Sequence, residues 1–180
     1  MKKPKTNLCN HYQICGGCDQ QSINYNQQLY QKGKEVKKLF HKTGIRDFMF
    51  QGIEPSPRIF AYRNKMEFSF GTFMNQDKLQ LGLHPKGNPN EVITVKNCNL
   101  VDRDFNLILN KVLNYCRKKG LKSYNIKENK GYLKNLIIRK GLKSGEILIN
   151  LITTTPSHHD FLKLTPKLKN LNYQGQLVGI

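Results

Sequence analysis

The sequence of 180 residues has no tryptophan and few acids: 12 Asp and Glu stand against 30 Lys and Arg. No apolar run approaches the ~20 residues that a membrane-spanning helix requires. The basic start, Met1-Lys2-Lys3-Pro4-Lys5, leads into no hydrophobic segment, so it does not read as a secretory signal. Cysteines number five, an odd count. With no export signal, a disulfide framework is not supported and a reducing cytoplasm is the expected location. The sequence shows no strand, glycine-rich loop and helix in succession, and so no fingerprint for a flavin or nicotinamide cofactor.

The formal net charge is +18 and the pI near 9.8. A field that positive favours polyanions, either nucleic acid or an anionic membrane surface. Lys outnumbers Arg by 24 to 6, so compositional bias is the plain alternative. Nucleic acid is the favoured partner, and no membrane partner is expected.

Cys9, Cys15 and Cys18 fall within ten residues, in the pattern C-x5-C-x2-C, and Cys98 follows eighty residues after Cys18. Four thiolates suit a tetrahedral zinc or an iron–sulfur cluster. Gly16-Gly17 lets the backbone turn tightly between Cys15 and Cys18. Buried free thiols are a competing reading. Zinc and iron–sulfur are not separable by spacing alone. A zinc ribbon has paired short knuckles, and this chain has one knuckle and a remote cysteine. Cys116 falls on an apolar helical stripe with Phe105, Leu109, Val112 and Leu113, and reads as core.

The remaining chain patterns as α+β, a mainly antiparallel sheet with helices on one face. Ser22 is a candidate N-cap for a helix carrying Tyr25, Leu29, Val36, Leu39 and Phe40, stopped at Gly44. Its many lysines, Lys34 among them, read as solvated surface. Phe48, Phe50 and Ile53 alternate like a strand. Residues 61–74 predict a long strand with Tyr62, Asn64, Met66, Phe68, Phe70 and Thr72 on one face, and Arg63 and Lys65 together on the other. A turn at 75–78, a strand over 79–83, a turn at 84–90 and a short strand at 92–95 complete a meander that delivers Cys98. A helix from Asp102 to Gly120, a hairpin of 133–140 and 146–153, a helix over 156–171 and a strand from Leu177 follow. Residues 1–21 form a basic tail and cysteine-rich loop; 22–180 form the α+β domain, with a subdivision near 100 as an option.

The run C-x5-C-G-G-C with Asp19, Gln20, Gln21 and Tyr25 resembles the iron–sulfur branch of the RNA (uracil-5-)-methyltransferases. So do Tyr62-Arg63-Asn64-Lys65 and, more weakly, Gly82-Leu83-His84-Pro85-Lys86-Gly87. The resemblance implies a [4Fe–4S] cluster on Cys9, Cys15, Cys18 and Cys98. It also implies RNA, with a lean toward ribosomal RNA, as the partner. Arg63, Lys65, His84 and Lys86 become the RNA-binding candidates, with Arg58, Lys134 and Arg139 outside them. Tyr62 or Phe73 could stack on a splayed base, although the place of Tyr62 on the apolar face favours core packing. The family's chemistry needs a nucleophilic cysteine, a base and S-adenosylmethionine in a C-terminal domain. No such segment is legible here and no cysteine is left over as nucleophile. The 180 residues are therefore expected to be inactive alone, as the RNA-recognition and cluster-binding central domain of such an enzyme. Two alternatives remain: a free-standing nucleic-acid-binding module with a structural zinc held by the four cysteines, and a small iron–sulfur electron carrier.

Overall fold

The computed structural model describes residues 8–74, 76–155 and 161–180. They form a six-stranded sheet and three α-helices, an α+β fold. The strands are β1 (Lys65–Phe73), β2 (Gln76–Leu83), β3 (Ile93–Thr94), β4 (Leu133–Lys140), β5 (Glu146–Thr153) and β6 (Gln176–Gly179). Their spatial order is β3-β2-β1-β4-β5-β6. Every pairing is antiparallel except β5 with β6.

One sheet face builds the core. Met66, Phe68 and Phe70 of β1 alternate inward, as do Leu79 and Leu81 of β2, Leu136 and Ile138 of β4, and Ile147 and Ile149 of β5. Helix α2 (Arg103–Lys118) lies across them and buries Phe105, Ile108, Leu109, Val112, Leu113 and Cys116. Burial pushes the Cys116 thiol up to about 12, consistent with an inert core residue. Asp102 caps α2 by accepting from the Asp104 N–H. Leu164 and Leu168, in and beside the short helix α3 (Thr165–Lys169), close the same face.

Asp104 is fully buried beneath this layer. Its carboxylate accepts from Lys140 Nζ at 2.7 Å and from the N–H groups of Gln174 and Gly175 at 2.8 and 2.9 Å. Lys140 also reaches Asp102. Burial raises the Asp104 pKa, but the Lys140 ammonium and the two N–H donors outweigh it and hold the carboxyl below its ordinary range. This node ties α2, β4 and the approach to β6 together.

Helix α1 (Tyr25–Lys42) stands apart. Its N-cap is Asn24 rather than Ser22, and its only buried residue is Gly33. None of its residues belongs to the core. It packs instead on the segment that follows: Phe40 meets Phe48 with ring centroids 4.9 Å apart, and Tyr25 Oη accepts from the Ser56 N–H at 2.7 Å.

Several expectations are corrected. Residues 48–53 form no strand, because Phe48 and Phe50 face α1 instead of a sheet neighbour. β1 begins at Lys65, so Tyr62 and Asn64 lie in its approach and not on an apolar face. Tyr62 is 49% exposed, against the core reading, whereas Phe73 is half-buried against the core. Of the helix expected over 156–171, residues 156–160 lie outside the described residues, and the rest is a 3-10 turn at Phe161–Lys163 followed by α3. The expected basic tail, save Leu8, and Asn75 also lie outside the described residues. Helices on one face holds for α2 and α3, but not for α1.

Candidate functional site

Four backbone segments converge at the β2–β3 end of the sheet. The first is the cysteine loop. Tyr12 N–H donates to Cys9 C=O and Cys15 N–H to His11 C=O, which folds the loop on itself. The second is the turn after β2. Gly16 N–H donates to His84 C=O at 2.9 Å and Lys86 N–H to Ile14 C=O at 2.9 Å, a two-way pairing of loop and turn. The Lys86 ammonium adds an ion pair with Asp19 at 3.0 Å. The third follows β3: Cys98 N–H donates to Asn106 Oδ1 at 2.8 Å, so α2 fixes the remote cysteine. The fourth is the approach to β1, where Ala61 and Arg63 donate their N–H groups to Asn99 and Leu100 C=O.

Cys9, Cys15, Cys18 and Cys98 line one cavity, together with His11, Tyr12 and Leu83. Burial raises the Cys98 pKa, and charge on Cys18, Cys15 and Cys9 would raise it further. Burial also raises Cys15, partly offset by the Gly17 N–H that points at its sulfur from 3.3 Å. Gly16 and Gly17 form a turn between Cys15 and Cys18, and neither takes a positive φ. A Cβ on Gly16 would lie 3.1 Å from His84 O, so its smallness admits the partner backbone.

The donor set, four cysteines with an N–H aimed at one sulfur, suits a thiolate-bound metal centre. Among the described residues no three His, Cys, Asp or Glu side chains are gathered as a single-ion site. The void between the thiols is about 10 Å³.

The basic candidates divide. Arg63, Lys65 and Arg139 are exposed and adjacent, Lys65 being paired in register with Arg139 across β1 and β4. Lys86 lies with the cysteine loop, and Arg58 lies apart in the 54–60 loop. His84 is held at both nitrogens: Nδ1 donates to Glu91 C=O at 2.7 Å, and Nε2 meets Ser69 Oγ at 3.2 Å. Asn135 Nδ2 donates in turn to Ser69 Oγ at 3.4 Å. A polar line thus crosses from β2 through β1 to β4 on the sheet face opposite the core. Lys134 is turned over the Tyr124 ring, 4.8 Å from its centroid, at the far end of β4.

The sequence reading missed four supports. Gln21 accepts from the Cys9 N–H through Oε1 at 2.9 Å, and His11 Nε2 accepts from the Lys96 N–H. Burial, then the Lys96 charge, lowers the His11 pKa and favours that neutral acceptor. Asn106 and Ser69 complete the set. Gln21 left a trace as part of the cysteine motif and Asn106 as the polar residue after Phe105 on α2; His11 and Ser69 left none.

The fold has a solved counterpart. The crystal structure of Pyrococcus abyssi tRNA (uracil-54, C5)-methyltransferase in complex with S-adenosyl-L-homocysteine matches with a TM-score of 0.64 over 81% of this chain and 33% of that chain. At 23% identity the likeness is one of fold.

Sequence relatives go further. A protein of Caldanaerobacter subterraneus subsp. tengcongensis named as an uncharacterized RNA methyltransferase is 45% identical over 96% of this chain. One of Clostridium acetobutylicum with the same description is 44% identical over the same share. The tRNA (uracil(54)-C(5))-methyltransferase of Pyrococcus furiosus is 29% identical over 81% of the chain. No protein-family model matches. The chain spans 38% of the length of the first two relatives and 32% of the third. Its similarity is thus to a portion of proteins named RNA methyltransferases.

Proposed function

We propose that these residues are the cluster-binding and RNA-recognition portion of an RNA uracil-C5 methyltransferase. The observation that carries the reading is the junction of two features. Four cysteines share one cavity, and the same loop is paired residue by residue with the basic turn at His84, Pro85 and Lys86. A cluster on Cys9, Cys15, Cys18 and Cys98 supplies a covalent anchor for a loop with little core of its own. It also fixes the turn that carries Lys86, while Arg63, Lys65 and Arg139 form a separate basic group on β1 and β4. Arginine and lysine there meet phosphate, the guanidinium by two parallel hydrogen bonds. Exposed Tyr62 offers a face for an unstacked base. His84, fixed at both nitrogens, positions the turn rather than reaching outward.

A single zinc would draw all four sulfurs to ~2.3 Å of one point. The cysteine spacing, one C-x2-C knuckle with a remote fourth cysteine, resembles the iron–sulfur branch and supports a cubane, in which each cysteine holds a different iron. S-adenosylmethionine as methyl donor, and the nucleophile for C6, belong to the same proposal and lie outside these residues. A ribosomal target is its finest part and rests on the cysteine motif, while a relative carries a tRNA name.

The test has two readings on one sample, purified without oxygen. About four iron and four sulfide per chain are expected, and one zinc without sulfide would replace the cubane with the zinc module. Arg63→Ala is expected to weaken binding of a single-stranded RNA roughly tenfold, the scale of a lost charge-assisted contact. Ribosomal and transfer RNA fragments in competition then decide the target.

A further inference from the structure

Helix α1 contains a glycine at its centre, which costs a helix ~0.5–1 kcal/mol against alanine. Gly33 is the one residue of α1 that is buried. A Cβ there would lie 3.3 Å from the Phe50 ring and 3.7 Å from Ile53. The helix thus gives up propensity to let an aromatic ring approach its axis. Beside that contact opens a cleft of about 360 Å³, lined by Tyr30, Gly33, Lys34, Lys37, Phe50 and Ile53 among others. Two ammonium groups sit against its two aromatic rings: Lys34 Nζ lies 5.2 Å from the Tyr30 centroid and Lys37 Nζ 5.0 Å from that of Phe50. Among the described residues neither lysine has a salt-bridge partner.

We infer that this cleft is a second RNA subsite, taking one unstacked nucleotide of a single strand. The inference rests on the RNA reading above but uses none of its residues. The volume falls in the range of small-ligand sites. A flat base matches the Phe50 and Tyr30 faces, and stacking on them is indifferent to sequence. The backbone phosphates match Lys34 and Lys37, which the sequence alone presents as plain solvated surface. Apolar walls with two unneutralised cations, in a chain of net charge +18, fit a nucleotide better than a neutral metabolite.

The experiment measures binding of a fluorescent oligouridine of about ten nucleotides to the 180-residue chain at fixed salt. Phe50→Leu keeps the apolar packing on Gly33 and removes the aromatic face. It is expected to weaken binding about tenfold, as is the Lys34→Ala, Lys37→Ala pair. Lys127→Ala with Lys130→Ala removes the same charge from a distant loop and is expected to cost less than threefold. Photocrosslinking of a 4-thiouridine oligomer is expected to label a peptide containing Tyr30 or Phe50. Equal losses from both lysine pairs, or crosslinks confined to the Tyr62 and Arg63 region, would overturn the subsite while leaving the RNA reading in place. No binding by the unaltered chain would overturn both.

Discussion

At the scale of single residues, charge placement decides most. The net excess of positive charge hides a fully buried acid that matters structurally, Asp104. It reads in sequence as a first-turn helix acid, worth a few tenths of a kcal/mol. Its real partner, Lys140, lies 36 residues on, and no local pattern announces such a pair. Asp104→Asn is expected to destabilise the fold by about 1–3 kcal/mol, because the N–H groups of Gln174 and Gly175 lose their charged acceptor and Lys140 keeps only Asp102 of its two carboxylates. Urea denaturation of both proteins checks it. The pH sign follows from the lowered Asp104 pKa. Its contribution is present above the carboxyl's unfolded value and fades as pH falls through the folded one. The wild-type midpoint should therefore fall on acidification below about pH 4, and the Asn variant should fall less.

At the scale of elements, periodic segments were legible and aperiodic ones were not. Helix α2 was legible because Phe105, Leu109, Val112, Leu113 and Cys116 repeat at helical spacing between an Asp cap and Gly120. The hairpin of β4 and β5 was legible for the matching reason in period two. Residues 48–53 misled because alternating aromatics look alike whether they face a sheet or a helix. The cysteine motif stood out in the sequence and its four thiols line one cavity, but the support of that cavity was not legible. That support is made of backbone pairings between residues 14–16 and 84–86, which leave no side-chain signature. Gly82 is where this element is most exposed to failure. A Cβ there would lie 2.0 Å from Ile93 O, against backbone that cannot swing away. Gly82→Ala is expected to part β2 from β3 and to cost at least ~1–3 kcal/mol. Iron content per folded chain should fall with it, since β3 delivers Cys98. Unchanged iron and stability would mean that the edge strand does not hold the site.

For the whole molecule, the question is whether the proposed RNA binding is confined to a defined place on a chain with so much charge. Arg63, Lys65, Lys86 and Arg139 near the sheet, with Lys34 and Lys37 on α1, make about five phosphate contacts reasonable. For a single strand the slope of log K against log salt is then about −3.5. Affinity should drop roughly tenfold between 0.1 and 0.2 M salt. A slope near −10 would indicate diffuse attraction spread over the lysines instead of a bounded interface. The fold class itself was legible at this scale, through the order of strand-like and helix-like segments. The separation of α1 from the core was not, since its apolar stripe is like that of any packed helix.

The order of residues along the chain also sets an order in time. All four cysteines, the turn that pairs with their loop and the α2 residue that holds Cys98 lie within the first 106 residues. A ribosome adding ~5–20 residues per second needs roughly 4–15 s more to finish the hairpin and β6. The cysteine cavity can therefore close on a nascent chain before the rest of the sheet exists. The first three strands would then be pinned at one edge while β1 still waits for β4, and insertion of the proposed cluster would be an early step of biogenesis instead of a finishing one.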